Sequence, residues 1–193
     1  MSNELISLFA TPLWIFKVES PRFLNKKLLM DSHEYKIGDW DFLELPGEGI
    51  AELRAFVHES VGQVARERDW QYKTLRVRSR QNPMFPGDYD SPHHHPESDL
   101  LGIYYIKTPA GCGDIQFIDP RGSVPTKWKD PLIKNDGGFR SARAFFKITP
   151  EAGTLLLFPS YLIHSVEPNK SDDMRISIVF EFRFDQEGDT HGN

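Results

Sequence analysis

Leu100-Leu101-Gly102-Ile103-Tyr104-Tyr105-Ile106 is an unbroken apolar run with polar Glu97-Ser98-Asp99 before it and Lys107-Thr108-Pro109 after it. Seven residues are too few for a stable helix of their own and fit a buried strand. The same short pattern recurs on both sides. Leu75 and Val77 alternate with Arg76 and Arg78, and Asp114–Ile118, Ala144–Ile148, Thr154–Phe158 and Arg175–Phe184 follow. Turn residues such as Thr149-Pro150-Glu151-Ala152-Gly153 separate them. Successive strands with no helices between them predict a mainly β architecture, an antiparallel sandwich or barrel.

The chain before Trp70 reads differently. Leu8–Val18 is β-prone, but Pro12 makes it an edge strand or a broken one. Such an edge could pair with a second copy, so a homodimer is open. Pro21 opens a helix through Tyr35. A stronger helix spans Gly49 to Asp69, where Ile50, Leu53, Phe56, Val57, Val61 and Val64 recur at steps of three and four. These flanking helices should lie on one face of the sheet. The expected layout is one domain over 1–193, with strand and helical support in 1–70, a β core in 71–185 and a polar tail in 186–193. Asp119–Ser141, with Lys127, Trp128 and Arg140, shows no convincing element. A loop of that length reads either as a lid over a site or as an insertion.

The net charge of −5 argues against nucleic acid held by general electrostatics. No apolar stretch approaches a membrane span, and Met1-Ser2-Asn3-Glu4 begins no signal peptide, so a cytoplasmic location is expected. Cys112, the single cysteine, lies between Gly111 and Gly113 and reads as an ordinary small residue near a turn.

Ser91-Pro92-His93-His94-His95-Pro96-Glu97 carries the sharpest chemistry. Side chains alternate along extended chain, so His93 and His95 can point the same way while His94 points opposite. Two imidazoles from one strand edge grip a first-row metal, and His164, after Leu155-Leu156-Leu157-Phe158-Pro159-Ser160-Tyr161, is the natural third ligand. Arg175-Ile176-Ser177 follows eleven residues later. Arg175 and Ser177 share a strand face, and a guanidinium fork with a hydroxyl suits a carboxylate. Each residue also has an ordinary reading: solvated loop histidines, a core His164, and a surface Arg175 paired with Asp172 or Asp173.

In the order HxH, IYY strand, FPxxxxH and RxS, the chain resembles the Fe(II)/2-oxoglutarate dioxygenase superfamily. More narrowly, PHHHPESDLLGIYYIKTP and LLLFPSYLIHSVEPN are similar to a bacterial and cyanophage group of 2-oxoglutarate–Fe(II) oxygenases without an assigned substrate. The likeness covers about Asn82 to Phe184. It implies a double-stranded β-helix (a jelly roll, cupin-like), with Fe(II) on His93, His95 and His164. Arg175 and Ser177 would hold the distal carboxylate of 2-oxoglutarate, helped by Tyr105; Asn82 would be a further cosubstrate contact. Oxidation of 2-oxoglutarate to succinate and CO2 would drive hydroxylation of an unidentified small molecule or peptide, which Tyr104 and the Asp119–Ser141 loop could contact.

The common triad has Asp or Glu at its second position, where this chain has His95. His95-Pro96-Glu97 is itself HxE, and pairs using His94, Asp88 or Asp90 are also open. The spacings to Asn82 and Tyr105 favour His93 as the first ligand. Two rival functions remain at this level. One is a cupin-like metal enzyme without 2-oxoglutarate; the other is a catalytically silent jelly-roll binding module.

Overall fold

Period-two side chains set the layers. In a computed structural model, which describes residues 10–32, 39–121, 139–142 and 145–186, Leu100–Lys107 forms a strand at the centre of a five-stranded sheet. Leu100, Tyr104 and Ile106 face two helices, whereas Leu101, Ile103 and Tyr105 face a second sheet. A strand covered on both sides has no polar face, which explains the unbroken apolar run.

The elements in chain order are β1 (Trp14–Lys17), α1 (Pro21–Asp31), a short 3-10 turn (Phe42–Glu44), α2 (Glu48–Glu67), β2 (Thr74–Met84), β3 (Asp90–His93), β4 (Leu100–Lys107), β5 (Ile115–Ile118), β6 (Phe139–Ala142), β7 (Phe145–Ile148), β8 (Thr154–Pro159), β9 (His164–Val166) and β10 (Arg175–Asp185). The first sheet runs β1-β8-β4-β10-β2 and the second β3-β9-β5-β7-β6, and each pairing of these strands is antiparallel. From β2 onward the chain passes back and forth between the sheets. This is the double-stranded β-helix.

α2 buries Ile50, Leu53, Val57, Val61 and Val64 against the outer face of the first sheet, and α1 adds Leu24 and Leu28. Their targets are Leu155 and Leu157 on β8 and Ile176, Ile178, Phe180 and Phe182 on β10. Gly102 makes room there. A Cβ on it would come within 3.0 Å of Leu157 and of the Phe182 ring. Between the sheets, Leu101, Ile103, Leu156, Phe158 and Val179 meet Ile115, Phe117 and Ile148.

Two expectations change. The Asp119–Ser141 segment contains no element in the sequence reading, yet its end belongs to β6, paired along β7. Phe139–Ala142 becomes a strand because β7 presents a ladder to it, not because its own pattern alternates. Lys127 and Trp128 lie outside the described residues, as do the polar tail beyond Gln186 and the last residues of the helix expected to reach Tyr35. Tyr104 contacts no substrate cleft. It is fully buried on the helix side, and its hydroxyl donates to Asn25 Oδ1 at 2.6 Å. No helix among the described residues is long and apolar enough to cross a membrane.

Candidate active site

The cleft opens between the inner face of the first sheet and the β3/β9 end of the second. β9 contributes His164, and its cross-strand neighbour on β3 is His93. Directly opposed residues of an antiparallel pair stand close enough for their side chains to touch. The two ring centroids are 4.4 Å apart. The chain then turns at His95, whose backbone N–H donates to Ser160 O at 3.0 Å. That bond ties the HHH segment to the loop leading into β9 and brings the His95 ring to 5.2 Å from His93 and 5.5 Å from His164.

One ring nitrogen from each of His93, His95 and His164 lies within 4.8 Å of the others. The remaining nitrogens are committed. His93 Nδ1 is 2.7 Å from Ser91 O, His164 Nδ1 is 3.0 Å from Leu162 O, and His95 Nδ1 is 2.8 Å from the Glu181 carboxylate. These oxygens accept hydrogen bonds, so of the two neutral tautomers they favour the one with the proton on Nδ1 and Nε2 left to ligate. Three clustered imidazoles in that tautomer suit a first-row divalent metal. Burial among Phe117, Phe158 and the neighbouring histidines pushes the His164 pKa down to about 4, desolvation being the largest cause. That histidine is therefore harder to protonate than a free imidazole.

The alternatives to His95 sit elsewhere. Glu97 is exposed and stands outside this cluster. Asp88 accepts from the Phe85 N–H within its turn, and His94 is exposed. Asp90 lines the cleft without joining the cluster.

β10 brings Arg175 and Ser177 to the same cleft, with Asn82 and Arg80 beside them on β2. Arg175 is 1% exposed, and its Nε and Nη1 have no hydrogen-bond partner among the described residues. The pairing with Asp172 or Asp173 left open by the sequence does not form; Asp173 binds Lys107 instead. A buried guanidinium with unmatched donors is costly, and an anion beside it would offset that cost. A small dicarboxylate suits it.

Tyr105 lies against Arg175, its ring centroid 5.3 Å from the guanidinium carbon, and its buried hydroxyl also lacks a partner. Desolvation pushes that phenol up to about 12, so it remains a donor. Ser177 Oγ donates to Asn82 O at 3.4 Å, and Asn82 Oδ1 accepts from Arg80 at 3.2 Å. Around Ser177 the β4–β10 register slips. Ile176 faces Lys107 while Ser177 faces Tyr105, leaving Ile106 as a bulge. Bulges re-aim side chains, and this one sits where Arg175, Ser177 and Tyr105 converge. Cys112 is buried nearby in a turn flanked by two glycines of positive φ, and burial raises its thiol pKa.

The sequence reading passed over Arg80, which lines the cleft, and Glu181, which stands behind His95. The Arg80 guanidinium lies over Trp40, 5.0 Å from the ring centroid. Glu181 holds His95. It is the one acid inside the apolar run Arg175–Phe184, and it shares alternation with Arg175 and Ser177, a signal that could have found it.

Across residues 79–181 the chain matches the profile of a family described as "Putative 2OG-Fe(II) oxygenase". Among solved structures, a prolyl-4-hydroxylase from Pseudomonas putida superposes with a TM-score of 0.62 at 13% identity, over 94% of this chain and 91% of that one. A non-heme α-ketoglutarate-dependent carbocyclase of nogalamycin biosynthesis gives 0.61 at 12% identity, over 94% and 85%. At such identities the likeness speaks for the fold alone. No curated protein matches the sequence significantly. The family profile spans more than half of the chain, on the fold its structural relatives share, so this chain belongs to the 2OG-Fe(II) oxygenases, enzymes that use Fe(II) and 2-oxoglutarate.

Proposed function

We propose that this enzyme hydroxylates a small molecule or peptide held in the cleft between its two sheets. His93, His95 and His164 hold the iron through Nε2. Arg175 binds the distal carboxylate of 2-oxoglutarate, with Tyr105 as a further donor and Ser177 and Asn82 as cosubstrate contacts. All these residues lie within 71–185, and the segment before them serves as support. When bound, the metal and cosubstrate supply oxygen activation coupled to oxidation of the keto acid to succinate and CO2. The protein's part is to orient the three imidazoles, neutralise the cosubstrate's charge and keep bulk water from the deep end of the cleft.

The observation that carries this reading is the buried Arg175, with two unmatched donors in the same cleft as the three clustered histidines. It is tested by anaerobic titration of apo-protein with Fe(II) and then 2-oxoglutarate, following the metal-to-ligand charge-transfer absorption. A saturable band is expected for the wild type, absent in His164→Ala and needing at least about tenfold more 2-oxoglutarate in Arg175→Ala, since one charge-assisted hydrogen bond is worth 1.5–3 kcal/mol. Stoichiometric iron with no band at any 2-oxoglutarate concentration would sink the cosubstrate assignment.

A further inference from the structure

Three neutral histidines leave a bound divalent ion with its full double charge, whereas the commoner triad with one carboxylate halves it. The carboxylate that this cleft lacks among its clustered ligands stands one layer behind them. β10 crosses the cleft with Arg175, Ser177, Val179 and Glu181 on its inner face, while Ile176, Ile178, Phe180 and Phe182 face the helices. Glu181 Oε1 is 2.8 Å from His95 Nδ1, and both side chains are largely enclosed, at 13% and 14% exposure. The other oxygen, Oε2, is 3.4 Å from the Arg78 guanidinium, which lies over Trp40 with 4.6 Å between the guanidinium carbon and the ring centroid. Glu181 is therefore held at both ends.

The three histidines differ in what holds them. Ser91 O and Leu162 O fix His93 and His164 through neutral backbone dipoles. His95 alone leans on a charged group, and its position in the sequence is the one where the usual triad has its acid. A carboxylate behind a ligating imidazole fixes the tautomer, orients the ring and raises the basicity of the nitrogen that faces the metal.

We propose that Glu181 is the positioning residue of His95, presenting its Nε2 to the metal and supplying, through the imidazole, the negative charge absent from an all-histidine ligand set. This rests on the reading of His93, His95 and His164 as the ligands. Glu181 is not among the residues that line the cleft. Its effect passes through one ring.

Co(II) titration of apo-protein tests this without turnover, because the visible absorption of Co(II) reports both affinity and ligand geometry. The set is wild type, His95→Ala, His164→Ala, Glu181→Ala and Glu181→Gln, with near-UV circular dichroism of each apo-protein as the check on folding. His95→Ala and His164→Ala should abolish the wild-type Co(II) spectrum. Glu181→Ala should weaken Co(II) binding about 10–100-fold, the usual effect of removing such a partner, and shift the band as the ring loses its anchor. Glu181→Gln keeps an acceptor for Nδ1–H without the charge, so its affinity should fall between the two; it decides the matter should the alanine variant lose its folded dichroism. Wild-type affinity and spectrum in Glu181→Gln and in folded Glu181→Ala, with the histidine variants still failing, would overturn the role of Glu181 and leave the ligand set standing. Retention of the wild-type spectrum by the histidine variants would overturn the ligand set and this inference with it.

Discussion

Arg175 is a positive charge in a place where a protein seldom keeps one. It is 1% exposed and has two donors unmatched among the described residues, an arrangement that costs stability. Exchanging a buried charged group for a well-packed apolar one of similar volume is often neutral or stabilising, by about 1–4 kcal/mol. Arg175→Met should therefore melt at the same or a higher temperature than wild type as apo-protein, yet fail to take up 2-oxoglutarate. Differential scanning calorimetry alongside the optical titration checks both halves. His164 makes the opposite bargain with pH. The folded protein keeps its imidazole neutral down to about 4, whereas an unfolded histidine protonates near 6.5. The unfolded chain thus binds more protons between these values, so the contribution is full above 6.5, declines as the pH falls and is exhausted near 4. Its whole span is on the order of 3 kcal/mol for the apo-protein. Denaturant unfolding at pH 7.5, 5.5 and 4.5 should show a shallower acid decline in His164→Gln than in wild type.

At the scale of elements, α1 makes its polar link to the sheet through Asn25. Asn25 Nδ2 donates to Ile106 O at 2.8 Å, the carbonyl of the bulged residue, and Asn25 Oδ1 accepts from the buried Tyr104 hydroxyl. The helix thereby props the bulge from outside while Tyr105 and Arg175 lie inside it. Tyr104→Phe removes the donor and strands a buried acceptor, so it should destabilise the fold by about 1–3 kcal/mol. The 2-oxoglutarate titration should be unchanged, because Tyr104 points away from the cleft. A lost charge-transfer band in a stable Tyr104→Phe would return that residue to the site. The long elements were legible for simple reasons. α2 has a three-to-four periodicity over five turns, and the strand read as Leu100–Ile106 ends one residue later, at Lys107. β3, β6 and β9 were not, because three or four residues such as His164-Ser165-Val166 carry no usable alternation and exist as strands only through their neighbours.

For the whole molecule, the cleft joins both sheets: β3 and β9 bring His93 and His164, and β2 and β10 bring Asn82, Arg175 and Ser177. A ligand that grips both halves should stabilise the fold as a unit. At one hundred times its dissociation constant a ligand adds about 2.7 kcal/mol. For a chain of this size that is a rise of roughly 5–10 °C in melting temperature. Mn(II) with 2-oxoglutarate should produce such a rise in wild type and none in His93→Ala. An equal rise in that variant would place the binding outside the cleft.

The sequence by itself determined the antiparallel β core and the helices that flank it, and it marked the residues proposed for a metal and carboxylate site, because each is written in local periodicity or motif spacing. His93, His95, His164, Arg175 and Ser177 were all marked in this way. Only the tertiary structure decided which face of β4 each adjacent tyrosine occupies, sending Tyr105 towards Arg175 and Tyr104 towards Asn25. It also separated Glu97 from the histidines and brought Glu181 to them from 86 residues beyond His95. Those choices depend on strand register and sheet-to-sheet packing. Such contacts form between residues far apart in the chain, and no short stretch of sequence contains both partners.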